Sequence, residues 1–201
     1  MKIVGLKKLD PVIRFWRRVI QKERDWFERM ENDREAVFDE LSEALQSVDA
    51  NLVFEVSEQL VEGKRELILS ADGIFDSFDS VISLYDAAPE LKYWKVIAFR
   101  PRMQSADGLV IQMIDWKLSY DDIYFSFEPH ENDVDLNVHI RNYDAEDGRF
   151  SSAYFILLDT LIGEFDAVMR IGETKFQRLE ESEISGLRPF VELTEVVDSL
   201  I

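Results

Sequence analysis

The stretch Tyr120–Arg141, YDDIYFSFEPHENDVDLNVHIR, decides the fold, because apolar and polar side chains alternate along two arms. A turn of sequence Pro129-His130-Glu131-Asn132 separates the arms. Alternation with a period of two on both sides of such a turn predicts an antiparallel hairpin with one buried and one solvated face. The solvated face is expected to carry seven polar side chains: Tyr124, Ser126, Glu128, Asp133, Asp135, Asn137 and His139.

Two amphipathic helices are predicted upstream, before residue 50. Asp10-Pro11 supplies an N-cap and a first helical residue, and apolar side chains then keep a helical spacing to about residue 30. Glu31-Asn32-Asp33 predicts a break, after which the helical spacing resumes up to Val48. We therefore expect an N-terminal helical extension over residues 1–50 and an α+β domain over residues 51–201, which together form one compact unit.

The rest of the chain predicts an α+β fold with a largely antiparallel sheet covered by helices. Strands are expected at 51–57, 65–71, 166–171 and 174–179, an interior strand at 94–99, and helices at 75–85, 151–163 and after Pro189. Residues 51–99 and 122–171 both run in the order hairpin, helix, strand. This order indicates either an internal ββαβ duplication or the usual arrangement of an α+β protein.

The charge balance argues against binding to nucleic acids. The 201 residues hold 41 Asp/Glu against 23 Lys/Arg, and the resulting net charge of −18 repels the phosphates of nucleic acids. Residues 1–30 differ, with nine Lys/Arg and four acids for a net of +5, so that the rest of the chain carries −23. This basic segment either docks on the acidic body of its own chain, is solvated, or meets an acidic partner.

Several catalytic and targeting signatures are absent from the sequence. Without Cys there is no thiolate nucleophile, thiolate metal site or disulfide. No apolar run approaches the roughly 20 residues of a membrane span and the N-terminus has no signal-peptide core, so we expect a cytoplasmic protein that does not bind membranes. The eight Gly lack phosphate-loop spacing, and neither GxSxG nor HExxH occurs. These absences point away from an enzyme without closing that alternative, and no cofactor is predicted.

The hairpin carries the best local group of reactive side chains. Carboxylates and an imidazole on one face can hold a divalent cation or act as acid and base. At about 3.3 Å per residue, however, His139 lies about 20 Å from Asp133 and about 13 Å from Asp135, too far for one ion. A tighter group is expected around the turn, formed by His130 with Glu128, Glu131 and Asp133. The alternative is a solvated face that binds nothing.

A second candidate site is Arg100-Pro101-Arg102, which follows the predicted interior strand. Two guanidinium groups at a strand end can grip a carboxylate or phosphate group. They can equally neutralise acids of their own chain.

Several stretches together resemble a group of uncharacterised bacterial proteins that carry a domain of unknown function. They are FW at 15–16, LVFEVS at 52–57, RELILSADG at 65–73, AAPELKYWKVIAFRPR at 87–102, DDIYFSF at 121–127 and LIGEFDAVMRIG at 161–172. The resemblance covers most of the chain and implies a single bacterial cytoplasmic domain. It implies no reaction, ligand or catalytic residue.

These observations favour a non-catalytic binding or regulatory protein whose partner has a basic surface. The alternative is a small-ligand or metal-binding protein, or an enzyme, that uses the 128–133 turn or the Arg100/Arg102 strand end. A third expectation is a homo-oligomer that forms through the N-terminal helices.

Overall fold

The computed structural model describes residues 9–103, 109–113 and 115–200. Within these ranges the chain forms six α-helices and nine β-strands, and it divides into two compact units, Met1–Phe99 and Arg100–Ile201. Four of the six strand pairings are antiparallel, which confirms the α+β class. None of the helices in the described ranges is long and apolar enough to span a bilayer.

The first unit begins with the two predicted helices, α1 (Pro11–Arg29) and α2 (Arg34–Gln46). The Asp10 carboxylate accepts a hydrogen bond from the Val12 N–H at 2.8 Å, which confirms the predicted N-cap. Helix α1 is fastened to the rest of the unit by two indole groups. Trp16 Nε1–H donates to the Leu84 carbonyl and Trp94 Nε1–H donates to the Glu23 carbonyl, each at 2.9 Å. The helices predicted as an extension therefore pack with the sheet of this unit.

Basic side chains of α1 pair with acids of their own unit. Arg18 contacts Glu43 at 2.7 Å, and Arg29 contacts Glu40 at 2.8 Å. These pairs agree with the alternative in which the basic segment docks on its own chain, while Lys2, Lys7 and Lys8 lie outside the described residues.

The sheet of the first unit contains β1 (Val53–Val56), β2 (Arg65–Ser70) and β3 (Trp94–Ala98), in that order. Strands β1 and β2 form the predicted hairpin, and α3 (Phe78–Asp86) connects β2 to β3. Because a helical crossover returns the chain in the same direction, β3 pairs in parallel with β2. Among the described residues β3 lies at the edge of the sheet, so the prediction of an interior strand is wrong.

The second unit holds the hairpin, now defined as β6 (Ile123–Pro129) and β7 (Val134–Ile140). A two-stranded sheet, β4 (Val110–Gln112) and β5 (Lys117–Ser119), precedes it. Helix α4 (Arg149–Ile162), helix α5 (Glu164–Met169), β8 (Ile171–Arg178), β9 (Arg188–Pro189) and helix α6 (Leu193–Asp198) follow. The predicted apolar face is confirmed, because the side chains of Phe125 and Val138, among others, lie in one core with those of α4 and α6.

The strand predicted over 166–171 is wrong, because most of this segment forms α5. Gly163 ends α4 with a φ of +83°, and a Cβ there would lie 3.3 Å from both the Arg100 carbonyl oxygen and the Arg102 nitrogen. This turn, which needs glycine, lets a second helix begin at Glu164.

Each unit contains the same ββαβ order. In both, an antiparallel hairpin is followed by helix and then by a strand parallel to the second hairpin strand. In each case a residue with a left-handed backbone conformation lies two positions after that second strand: Asp72 with φ +52° and Asn142 with φ +58°. The order hairpin, helix, strand agrees with the prediction, but the closing strand of the second unit is β8 and not the segment 166–171. An ancestral duplication remains a prediction.

Candidate functional site

The second unit presents a polar sheet face opposite its apolar core. Its strands lie in the order β8-β7-β6-β9, and the registers align polar side chains in rows. Glu128 stands opposite Asp135, Ser126 opposite Asn137, and Tyr124 opposite His139. Lys175 and Gln177 extend the last two rows onto β8. We call these eight residues, with Glu173, the polar face.

An imidazole and two carboxylates lie together at the end of the polar face that adjoins the 129–132 turn. We call this end, with residues 128–135, the turn end. One ligand-type atom from each of His130, Asp133 and Asp135 lies within 4.8 Å of the other two. His130 Nε2 is 3.1 Å from Asp135 Oδ2. This hydrogen bond raises the pKa of His130 and lowers that of Asp135, since each charged form stabilises the other. In the part of the chain that is described, this is the one group of three such side chains.

A backbone irregularity in β8 orients Asp135. The pairing of β7 with β8 shifts register between Val134 and Leu136, and there the Glu173 N–H donates to Asp135 Oδ1 at 2.7 Å. Gly172 lies against the same oxygen, where a Cβ would come within 2.4 Å of Asp135 Oδ1. A Cβ at position 172 would force the Asp135 carboxylate to move, so Gly172 permits the orientation in which Asp135 faces His130.

The other end of the polar face is covered. His139 is only 6% exposed, although the alternation predicts a solvated side chain. Its Nε2 lies 2.8 Å from Gln177 Nε2, and Glu183, from the segment after β8, approaches Nδ1 to 3.7 Å. Burial lowers the pKa of His139, with a smaller opposing effect of Glu183. Tyr124 is half-buried between His139 and Pro189 in the neighbouring strands.

Arg102 is engaged by its own unit. Nε donates to the Ile162 carbonyl at 2.8 Å, Nη1 to Asp198 at 2.6 Å and Nη2 to Asp166 at 2.8 Å. Burial acts to lower the pKa of Arg102, but the two carboxylates outweigh it and the pKa is raised. These bonds join the ends of α4, α5 and α6, as expected if the arginine neutralises local acids.

Arg100 also contacts the helices that follow. Its backbone N–H donates to the buried Glu164 carboxylate at 3.1 Å, and its guanidinium lies 3.9 Å from Asp159.

The predicted site residues therefore fall into three separate places. His130, Asp133 and Asp135 come together, and Glu128 and Glu131 are exposed beside them without an ion pair to Lys or Arg among the described residues. The sequence pattern predicts a cluster of His130 with Glu128, Glu131 and Asp133, so it places Asp133 correctly but leaves Asp135 out. The lone glycine at 172 was the available signal, because glycine within a strand marks a bulge or a close approach.

A groove of about 550 Å³ lies in the first unit. Tyr85, Trp94 and Lys64 are among the residues that line it, and it includes none of the nine predicted site residues. Lys64 is held there by a hydrogen bond from Nζ to the Leu91 carbonyl at 2.8 Å.

Comparison of the chain with known protein families, with curated proteins and with solved structures finds no match.

Proposed function

We propose that the protein is a non-catalytic binding module that recognises a basic protein surface through the turn end of the polar face. The supporting observation is that Glu128 and Glu131 project from this end, exposed and without an ion pair to Lys or Arg in the described ranges. Unpaired carboxylates on a rigid hairpin attract a cationic surface and orient its approach.

The charge distribution of the second unit supports a basic partner. Residues 100–201 hold nine Lys/Arg and 21 Asp/Glu, a net charge of −12. Seven of these nine cations form ion pairs with acids of the same unit. Since most cations are engaged internally, the surplus of acids is what the unit offers to a partner.

The alternative of a ligand site at Arg100 and Arg102 has less support. Three nitrogens of the Arg102 guanidinium already donate to groups of the protein itself. An incoming phosphate or carboxylate would have to displace Asp166 and Asp198, which are covalently part of the same unit.

Three further properties remain predictions: a bacterial origin, a cytoplasmic location and self-association through the N-terminal helices. For the last, α1 presents Ile13 and Ile20, which are 48% and 52% exposed, while Phe15, Trp16 and Val19 are buried. The native mass of the full chain tests this prediction, because self-association requires a dimer at micromolar protein concentration.

The function is tested by capturing partners from a lysate of the source organism with the wild-type chain and two variants. Glu128→Gln/Glu131→Gln removes the two unpaired charges at the turn. Asp121→Asn/Glu146→Gln is the matched control, because it removes two exposed acids that precede β6 and follow β7 in the sequence, away from the turn. Capture is compared at about 0.1 M and about 1 M salt, between which the Debye length falls from about 10 Å to about 3 Å.

The proposal predicts a stoichiometric basic protein that is captured at low salt by the wild type and by the control variant. The amount of this protein captured should fall with Glu128→Gln/Glu131→Gln, and none should be captured at high salt. Equal capture by both variants, or no stoichiometric partner under either condition, contradicts the proposal.

A further inference from the structure

We propose that His130, Asp133 and Asp135 form a binding site for a divalent transition-metal cation of the Zn²⁺ or Mn²⁺ type. This inference does not depend on the proposed protein partner. It rests on the geometry of the three side chains, on how their surroundings hold them, and on the donor atoms they present.

The three side chains are close enough to share one ion. Metal–ligand distances of about 2.0–2.2 Å place neighbouring donor atoms about 3–3.5 Å apart. His130 Nε2 and Asp135 Oδ2 already lie at 3.1 Å, and the whole group lies within 4.8 Å. Because His130 is exposed and Asp133 only half-buried, side-chain rotation can close the remaining gap without a change of backbone.

Asp135 is held in the orientation that a metal ligand needs. The Glu173 N–H binds Oδ1, which leaves Oδ2 directed towards His130. Outer hydrogen bonds of this kind orient a ligand and strengthen metal binding. Gly172 leaves room for this orientation, since a Cβ would lie 2.4 Å from Asp135 Oδ1 and 3.5 Å from Asp133 Oδ1 and the carboxylates would have to move. A single glycine therefore faces both carboxylates of the site.

The backbone that carries the ligands is also fixed. The His130 N–H donates to the Asp133 carbonyl at 2.9 Å and closes the turn. The Val134 N–H donates to the Arg170 carbonyl at 3.0 Å, and Arg170 Nη1 donates to the Asn132 carbonyl at 3.1 Å. The hairpin turn is thus attached to the start of β8, and little ordering is left for a cation to impose.

The donor set selects the class of cation. One imidazole nitrogen with two carboxylates suits Zn²⁺ and Mn²⁺ better than Mg²⁺ or Ca²⁺, which prefer oxygen ligands alone. Three protein ligands leave at least one position for water or for a donor from another molecule. Glu128 and Glu131, exposed beside the cluster, add negative potential that favours a cation.

Isothermal titration calorimetry of the tag-free chain with ZnCl₂, and separately with MnCl₂, tests the site. We expect one cation per chain for at least one of the two metals. The chain has only two His, and His139 is buried, so His130→Ala removes the one exposed imidazole and should weaken binding at least tenfold. Gly172→Ala, which keeps all three ligands, should weaken it by about tenfold. Gly186→Ala is the matched control, because nothing lies within 4 Å of its added Cβ.

Circular dichroism tests whether each variant is folded. If Gly172→Ala does not fold, the comparison of His130→Ala with the wild type still decides the question. Failure of the wild type to bind either metal contradicts the proposal. Binding that His130→Ala leaves unchanged also contradicts it, because the ion then lies elsewhere. Glu128→Gln/Glu131→Gln retains the three ligands and should still bind the metal, so failure of the partner proposal is distinguishable from failure of this one.

Discussion

Replacement of Arg102 by alanine should destabilise the second unit, because this side chain joins three helix ends. It donates to the carbonyl of Ile162, the last residue of α4, and to carboxylates in α5 and α6. The carbonyls in the last turn of a helix have no partner within the helix, so the bond to Ile162 satisfies a group that otherwise depends on water.

The magnitude follows from the exposure of each partner. The Arg102 side chain is 31% exposed, Asp166 20% and Asp198 55%. A hydrogen bond to a charged group contributes about 1.5–3 kcal/mol when its partners are shielded, whereas an exposed ion pair contributes about 0–1 kcal/mol. The bonds to Asp166 and Ile162 therefore carry most of the effect, and we expect a loss of about 2–3 kcal/mol in the free energy of unfolding.

Urea unfolding followed by far-ultraviolet circular dichroism measures this loss. With a typical m-value of about 2 kcal/mol/M, the midpoint for Arg102→Ala should fall by about 1 M. Lys117→Ala is the control, because Lys117 is an exposed cation of the same unit without an ion pair among the described residues, and its midpoint should change little. Equal midpoints for the two variants would refute a structural role for Arg102 and return it to the candidates for ligand binding.

Two further predictions concern the first unit. The Arg29 and Trp26 side chains donate hydrogen bonds to Glu40 and lower its pKa to about 2, so its stabilising effect is complete above its unfolded-state pKa of 4.5 and is lost as the pH falls towards 2. In acid titrations of the melting temperature, Glu40→Gln should therefore show a smaller loss of stability between these pH values than the wild type. The exposed Glu35→Gln should show the same loss as the wild type. Parallel curves for the two variants would argue against a stabilising Arg29–Glu40 interaction. Trp16→Phe removes the donor to the Leu84 carbonyl and should cost about 1–2 kcal/mol, measurable by urea unfolding, and an unchanged midpoint would show that this bond does not hold α1 in place.

The sequence predicts the elements whose patterns are long and have clear ends. Seven-residue arms that alternate strictly produced β6 and β7 as expected, and Asp10-Pro11 marked the start of α1. Short apolar segments were less informative. Residues 166–171 fit a strand or a helix equally well over six positions, and the helix is selected by the turn at Gly163, which packs against the backbone of Arg100 and Arg102. Such a long-range contact leaves no periodic signal.

The sequence predicted which kinds of side chain form the candidate site, but not which residues come together in it. Distances along one strand correctly separated His139 from Asp133 and Asp135. They could not show that β8 would lie beside the turn and direct Asp135 towards His130 through the Glu173 N–H. Nor could alternation alone predict the burial of His139, because Glu183 reaches it from a segment outside the hairpin. Both differences arise from neighbouring strands and loops, which local pattern does not specify.

If the turn end of the polar face recognises its partner electrostatically, the rate of association with the captured partner should depend on the charges of the turn and on salt. The rate constant is measured against ionic strength for the wild type, Glu128→Gln/Glu131→Gln and Asp121→Asn/Glu146→Gln. We predict that the turn variant associates about threefold to tenfold more slowly than the wild type at low salt, and that the difference vanishes near 1 M salt. The control variant should stay within about twofold of the wild type at every salt concentration. A turn variant that associates as fast as the control at low salt would rule out electrostatic recognition by the turn.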